Sequence, residues 1–250
     1  MNIIVFDTET AGDIMRGKYF CYNIGYKIVN IETRETLLRK DYVVEQVWQN
    51  LELFSTAYYE EKRQLYVSRM KGKKAIQDKY GYICRQMYRD IKEFNVEHGY
   101  AYNCDFDIKV FKFCCEWYKV QNPLDNIQVH DIWGFVSEYI SNTEDYKFFC
   151  ETNALFTKGG NYSASAESVY QYITRNTDFE EEHTALADSE IETEILFECI
   201  DRGANPTGNY KAKKIIPRVV EQQLIIKQNG VETKFTFTKQ TCRGNTIYLK

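Results

Sequence analysis

The chain opens on a short apolar run, Asn2-Ile3-Ile4-Val5-Phe6, that leads directly into Asp7-Thr8-Glu9-Thr10. An apolar run of this length reads as a buried strand, ending where the first acid, Asp7, appears. Side chains alternate across a strand, so Asp7 and Glu9 face the same side. Two carboxylates that close repel unless a cation lies between them. Hard oxygen ligands of this kind select Mg2+ or Mn2+. Taken alone, the pair is accounted for at least as well by a strand edge that happens to end in acids.

Further along, Phe20 to Val29 and Glu35 to Val44 read as two more strands joined by a polar turn around Glu32–Arg34, an antiparallel meander behind the first. From about residue 46 to 97 charged residues alternate with Leu, Tyr, Met and Ile at helical intervals, with no proline. This predicts an insertion of two long helices, broken near Lys71–Lys74 around Gly72. Tyr100 to Tyr102 reads as a short strand, Phe106 to Lys119 as a helix, and Ile127 to Ile132 as another strand. Ser163 or Ser165 caps a helix running to Thr174. Thr184 to Arg202 is a helix that stops at Gly203. The tail carries a small basic stretch, Lys211, Lys213, Lys214 and Arg218. Leu224–Gln228 and Val231–Thr238 flank Asn229-Gly230, a strong hairpin signal, and Thr246–Leu249 is a candidate third strand. The expected organisation is one catalytic domain over 1–203 and a basic segment with a β-hairpin appendage over 204–250.

Two later segments carry acids at strand-to-helix or loop-to-helix junctions. In Asn103-Cys104-Asp105-Phe106-Asp107, a first-turn carboxylate is favoured by the helix dipole, which accounts for Asp105. Asp107 then projects toward the strand ends. In His183-Thr184-Ala185-Leu186-Ala187-Asp188, the histidine precedes the first turn, Asp188 lies further in, and two alanines allow close packing. Glu180, Glu181 and Glu182 just before it also fit a solvated acidic run.

In this order, the three blocks resemble the DEDDh exonucleases of the RNase T and proofreading epsilon-subunit superfamily, over roughly residues 2 to 200. That family shows D-x-E-T early, N-x-x-x-D in the middle and H-x-x-x-x-D late, here Asp7–Thr10, Asn103–Asp107 and His183–Asp188. The tyrosine subclass would have Tyr at position 184; the residue is Thr184, so the histidine subclass fits. Here Ala11-Gly12 follows where the family often has Thr-Gly. The helical insertion is longer than a minimal family domain needs, and the tail has no counterpart.

The resemblance implies an α/β fold, the RNase H-like mixed sheet flanked by helices. It implies a metal-dependent 3′→5′ exonuclease that acts on single-stranded nucleic-acid 3′ ends and releases nucleoside monophosphates. Two divalent cations, Mg2+ or Mn2+, would be held by Asp7, Glu9, Asp107 and Asp188. Asp7 would bridge them, Glu9 and Asp188 would complete the site of the attacking water, and Asp107 would serve the leaving group. His183 would take the proton from that water; the glutamates before it should keep it basic, while bound metals push the other way, and the sequence does not decide between them. Thr8 and Thr10 would hold the terminal nucleotide, and Asn103 is a third substrate-binding candidate. Relatives such as RNase T are homodimers, so a homodimer is compatible with this reading.

Composition narrows the field from the other side. Lys and Arg total 32 against 36 Asp and Glu, a formal net charge of −4. That excludes a strongly basic nucleic-acid binder but not a nuclease, whose cations handle phosphate locally. It also leaves no long electrostatic track for a duplex, so single-stranded ends, DNA or RNA, are the expected partner. The eight cysteines include no C-x-x-C pair and there are only three histidines, so a zinc site has little support. Asp7 and Glu9 interrupt the first apolar run and no stretch reaches membrane-spanning length, so a cytoplasmic protein with reduced thiols and no membrane partner is expected. The rival readings are a catalytically inactive nucleic-acid-binding or scaffold relative, an endonuclease of RNase H-like type, and a cysteine hydrolase using Cys104 or Cys114 with His130.

Overall fold

In the computed structural model, the opening apolar run begins a longer strand, Asn2–Ala11 (β1). It does not stop at Asp7, because Phe20–Asn30 (β2) pairs antiparallel with its whole length. Asp7 lies opposite Gly25 and Glu9 opposite Asn23, with a register shift just after Glu9. Thr36–Val44 (β3) completes the expected meander, antiparallel to β2.

The insertion differs from the expected pair of long helices. Its first half is three short helices, Glu45–Trp48 (α1), Leu51–Phe54 (α2) and Arg63–Lys71 (α3), with a 3-10 turn at Glu60–Lys62. Asn50 explains the first break: its side chain accepts from Leu53 N at 3.0 Å and so starts a new helix. The short turns fold their apolar residues onto one another, Trp48 lying 5.1 Å from Phe54 and 5.9 Å from Tyr66 between ring centroids, with the Arg63 guanidinium 4.0 Å from the Trp48 ring centroid and 4.7 Å from that of Phe54. The break near Gly72 falls where expected. A short edge strand then follows, Ile76–Asp78 (β4), parallel to β3. The second long helix is present as Tyr80–Glu93 (α4), which buries Tyr80, Ile83, Cys84, Met87 and Ile91 along one face.

His98–Ala101 (β5) pairs parallel to β1 and leads into Cys104–Tyr118 (α5); Gln128–Asp131 (β6) pairs parallel to β5. Four helices follow: Ile132–Tyr139 (α6), Glu144–Thr152 (α7), Ala166–Thr174 (α8) and Ala185–Asp201 (α9). Ser165 caps α8 by accepting from Ser168 N at 3.2 Å. The sheet order is β4-β3-β2-β1-β5-β6, a mixed sheet with helices on both faces, as the α/β reading requires.

Alternation along β1 sorts the core. Ile4 and Phe6 join one cluster with residues of α4 and α5; Ile3 and Val5 join the other with residues of α6, α8 and α9. By the same alternation Thr8 and Thr10 face the α5 layer, and Asp7 and Glu9 face α9.

Residues 204–217 lie across the second cluster. Tyr210 packs edge-on to Phe135 at 4.7 Å, and Ile215 bridges to Tyr162. The structure describes residues 1–217 with their side chains and, after them, the backbone of Val219–Gln228 (β7), Val231–Cys242 (β8) and Asn245–Leu249 (β9), a separate antiparallel sheet in the order β7-β8-β9. Arg218 and the Asn229-Gly230 hairpin signal of the sequence lie outside the described residues. Among the described residues no helix is long and apolar enough to cross a membrane.

Candidate active site

The site depends on how closely α9 approaches the centre of the sheet. Gly25, across from Asp7, makes room: a Cβ built there would stand 2.0 Å from Leu186 N and 2.1 Å from the Ala185 carbonyl carbon. Asn23, across from Glu9, docks the helix end. Thr184 is the N-cap residue but its side chain makes no cap bond. The buried Asn23 Oδ1 accepts from Ala185 N at 2.8 Å instead, satisfying an otherwise orphaned helix donor. Asn23 is held in turn: Tyr66 Oη donates to its Oδ1 at 3.0 Å, and its Nδ2 donates to Asp41 Oδ1 at 2.7 Å. Asp41 is paired with Arg69 at 2.9 Å.

With α9 so placed, Asp7, Glu9 and Asp188 each bring one carboxylate oxygen to within 4.8 Å of the others. Asp188 Oδ1 is buried and has no hydrogen-bond partner among the described residues. Desolvation is the first cause of proton retention here, and mutual repulsion adds to it. Asp7 is raised to about 7, mainly by burial, and Asp188 to about 9, by burial and then by Asp7. Glu9 is raised well above the ordinary carboxylate range by burial, Asp7 and Asp188. A trio that keeps protons although the Lys62 ammonium acts against this on Glu9 and Asp188, with one buried oxygen unpartnered, is the donor set a hard divalent cation takes. Asp107 comes to the edge of this group from α5. It is buried, raised by desolvation and then by Asp7, and its Oδ1 accepts from Thr8 Oγ1 at 2.6 Å.

A fifth acid belongs to this neighbourhood and was not anticipated. Glu192, 3% exposed, is raised by burial and then by Asp7, Asp107 and Asp188. Its Oε2 accepts from Tyr102 N at 3.2 Å. The available signal was its spacing: four residues after Asp188, it lies on the same stripe of the helix.

His183 lies just before α9 with φ +51°. Its ring stacks on Tyr59 from the insertion, centroids 4.3 Å apart and planes 11° apart. Its Nδ1 is 3.5 Å from Glu181 Oε2. Its pKa is lowered: desolvation comes first and the Lys62 ammonium second, and together they outweigh Glu167 and Glu61. Lys62, also from the insertion, lies over Tyr59 at 4.9 Å and donates to the Glu182 carbonyl.

Thr8 and Thr10 are both buried. Asn103 is exposed at the start of α5 in a left-handed conformation, with its N–H donated to Asp131 Oδ1 at 2.8 Å. The surroundings of the two thiols lend the cysteine-hydrolase reading no support. Burial pushes the Cys104 and Cys114 thiols up to about 12, and Cys114 donates to the Tyr19 carbonyl at 3.0 Å. His130 is buried against His98, with ring nitrogens 3.0 Å apart.

No protein-family model matches the chain, and no curated protein matches it in sequence. Solved structures do match in fold. A 3′-exonuclease studied in 3′-end specific recognition of a histone mRNA stem-loop superposes with a TM-score of 0.52 at 9% identity, over 94% of this chain and 90% of that one. Exonuclease I from Methylocaldum szegediense superposes with a TM-score of 0.51 at 16% identity, over 81% of this chain and 41% of that one. The chain has the α/β fold of these exonuclease structures; Asp7 and Glu9 lie on its central strand β1 and Asp188 on α9.

Proposed function

We propose that this chain is a divalent-metal-dependent 3′→5′ exonuclease that removes nucleotides from single-stranded DNA or RNA ends. The observation that carries the reading is the convergence of Asp7, Glu9 and Asp188 within 4.8 Å, with Asp188 Oδ1 buried and unpartnered. Asp107 stands beside this trio and completes the four-carboxylate set. Mg2+ or Mn2+ bound there supplies charge neutralisation for the phosphoryl oxygens and a more acidic water.

The remaining roles fall to the chain's own residues. His183, its pKa lowered, is neutral near pH 7 and so able to accept a proton. Thr8 orients Asp107 through the 2.6 Å hydrogen bond. Asn103, exposed at the start of α5, is assigned the terminal nucleotide. The fold likeness to a 3′-exonuclease over 90% of that chain's length supports the reaction class. The test is a panel of 5′-labelled and 3′-labelled DNA and RNA, single- and double-stranded and circular, with Mg2+, Mn2+ or EDTA. Stepwise loss from the 3′ end of single strands, abolished by EDTA, is expected. Cutting of circles would point instead to an endonuclease, and metal-independent binding without cleavage to an inactive relative.

A further inference from the structure

We infer that Glu167, Glu181 and His183 form a second cation site, selective for a transition metal of the zinc class, through which such a metal inhibits the enzyme. The inhibition rests on the function proposed above; the binding does not.

Glu167 lies in the first turn of α8, and Glu181 and His183 lie in the segment leading into α9. Each offers one ligand atom, and the three atoms lie within 4.8 Å of one another. The His183 Nδ1 to Glu181 Oε2 distance is 3.5 Å. A tetrahedral zinc ion with ligands at about 2.0–2.2 Å separates neighbouring ligand atoms by roughly 3.3–3.6 Å. One edge of the triangle therefore already has the required length. Three protein ligands leave a fourth position open, so an ion could enter without unfolding anything.

The donor set distinguishes this group from the all-carboxylate trio. An imidazole nitrogen with two carboxylates favours Zn2+ or Co2+, whereas Mg2+ and Mn2+ suit all-oxygen sites and Mg2+ keeps its waters. Excess Mg2+ would then fill Asp7–Glu9–Asp188 and leave Glu167–Glu181–His183 to a zinc-class ion. The absence of cysteine motifs argues against a thiolate zinc site and leaves this one untouched.

The surroundings are built around the histidine. Tyr59 covers one face of its ring, and Glu181 N donates to Glu167 Oε2 at 3.3 Å, which joins the two acids. The Lys62 ammonium is the nearby opposing charge, and its donation to the Glu182 carbonyl holds it to the chain just before His183. A metal on His183 would occupy the nitrogen lone pair that proton transfer needs, so binding and inhibition are one event.

The test uses the full chain with Co2+ as a visible-absorption probe, titrated in excess Mg2+, in wild type, Asp7→Asn and Glu167→Gln. Gln is isosteric with Glu and keeps an acceptor for Glu181 N. Wild type and Asp7→Asn should each bind one Co2+ with the absorption of a low-coordinate nitrogen–oxygen site. Glu167→Gln should bind it more than about tenfold more weakly, at least the loss seen when outer-shell partners of metal sites are removed. Zn2+ should inhibit Mg2+-supported hydrolysis by wild type, and Glu167→Gln should resist it while keeping its hydrolysis without zinc. Equal Co2+ affinity in Glu167→Gln and wild type would overturn the site, as would Co2+ absorption that vanishes in Asp7→Asn. If no hydrolysis is found with Mg2+ at all, the proposed function fails, while the Co2+ result still decides this site.

Discussion

Asn23 Oδ1 accepts a hydrogen bond from Ala185 N at 2.8 Å, a contact between residues 162 apart that joins strand β2 to the first turn of α9. Through it, the strand facing Glu9 fixes the helix carrying Asp188. Asn23→Ala would leave a buried helix donor, the Tyr66 hydroxyl and part of Asp41 without their partner. Unsatisfied buried groups cost about 1–3 kcal/mol each. The variant is expected to lose stability in urea by at least one such increment and to bind Mn2+ more weakly. Unchanged stability and Mn2+ affinity would remove Asn23 from the account.

Gly25 has a steric role that can be separated from hydrogen bonding. A methyl at this position cannot coexist with the Ala185–Leu186 backbone at 2.0–2.1 Å. Gly25→Ala should therefore push α9 outward, at the roughly 1–3 kcal/mol typical of overpacking. Because Asp188 moves with the helix, calorimetry should show a loss of Mn2+ affinity beyond what the stability change explains. A variant with wild-type Mn2+ affinity would mean that α9 does not set the carboxylate spacing.

The raised carboxylates predict an unusual pH dependence. Asp7 at about 7 and Asp188 at about 9 hold protons in the folded, cation-free protein that the unfolded chain releases near pH 4. Between those limits the folded state binds more protons, so stability falls as pH rises. In EDTA the melting temperature should drop from pH 6 to pH 9. Divalent cations displace those protons, so Mn2+ affinity should rise over the same range and reverse the slope. A cation-free protein that grows more stable toward pH 9 would show that the trio is already ionised.

The segment after α9 makes its own prediction. A Cβ on Gly134 would meet the Tyr210 carbonyl oxygen at 2.3 Å, and Lys213 N donates to Ser137 Oγ at 2.9 Å. Residues 204–217 are thus seated on α6, with Tyr100 Oη donating to the Pro206 carbonyl at 2.7 Å. Truncation after residue 217 should keep a cooperative melt, whereas truncation after 203 should lower the midpoint sharply or prevent folding. Equal melting curves for the two would show that this segment adds nothing to the core.

Much of this was legible because it follows local periodicity. The apolar run before Asp7, the two-residue spacing to Glu9 and the helix entered at Ala185 are patterns of period two and of helix ends. They put Asp7 and Glu9 on one face of a strand and Asp188 near the start of a helix; that the three should meet was implied by the family resemblance, and Asp7, Glu9 and Asp188 do come together. What was missed has no local pattern. Ile76-Gln77-Asp78 is too short to alternate, and its partner is β3 rather than a neighbour in sequence. Asn23 and Gly25 look like ordinary strand residues until a helix some 160 residues later is laid on them. The long helix expected from residue 46 is instead three short ones, because Asn50 starts a new helix and the chain turns so that Trp48, Phe54 and Tyr66 meet. Tyr59 and Lys62 gave no sign that they reach His183.

The most direct measurement is hydrolysis of a 5′-labelled single-stranded oligonucleotide by wild type and by Asp7→Asn, with Mg2+, with EDTA, and with the 3′ end blocked by phosphate. The account predicts a ladder shortening from the 3′ end in Mg2+ with wild type only, stopped by EDTA and by the 3′-phosphate. Asp7→Asn should melt as a folded protein and leave the strand intact. Cleavage by folded Asp7→Asn at the wild-type rate, or an undiminished ladder in EDTA, would contradict the central claim that Asp7, Glu9 and Asp188 hold the metal that hydrolysis requires.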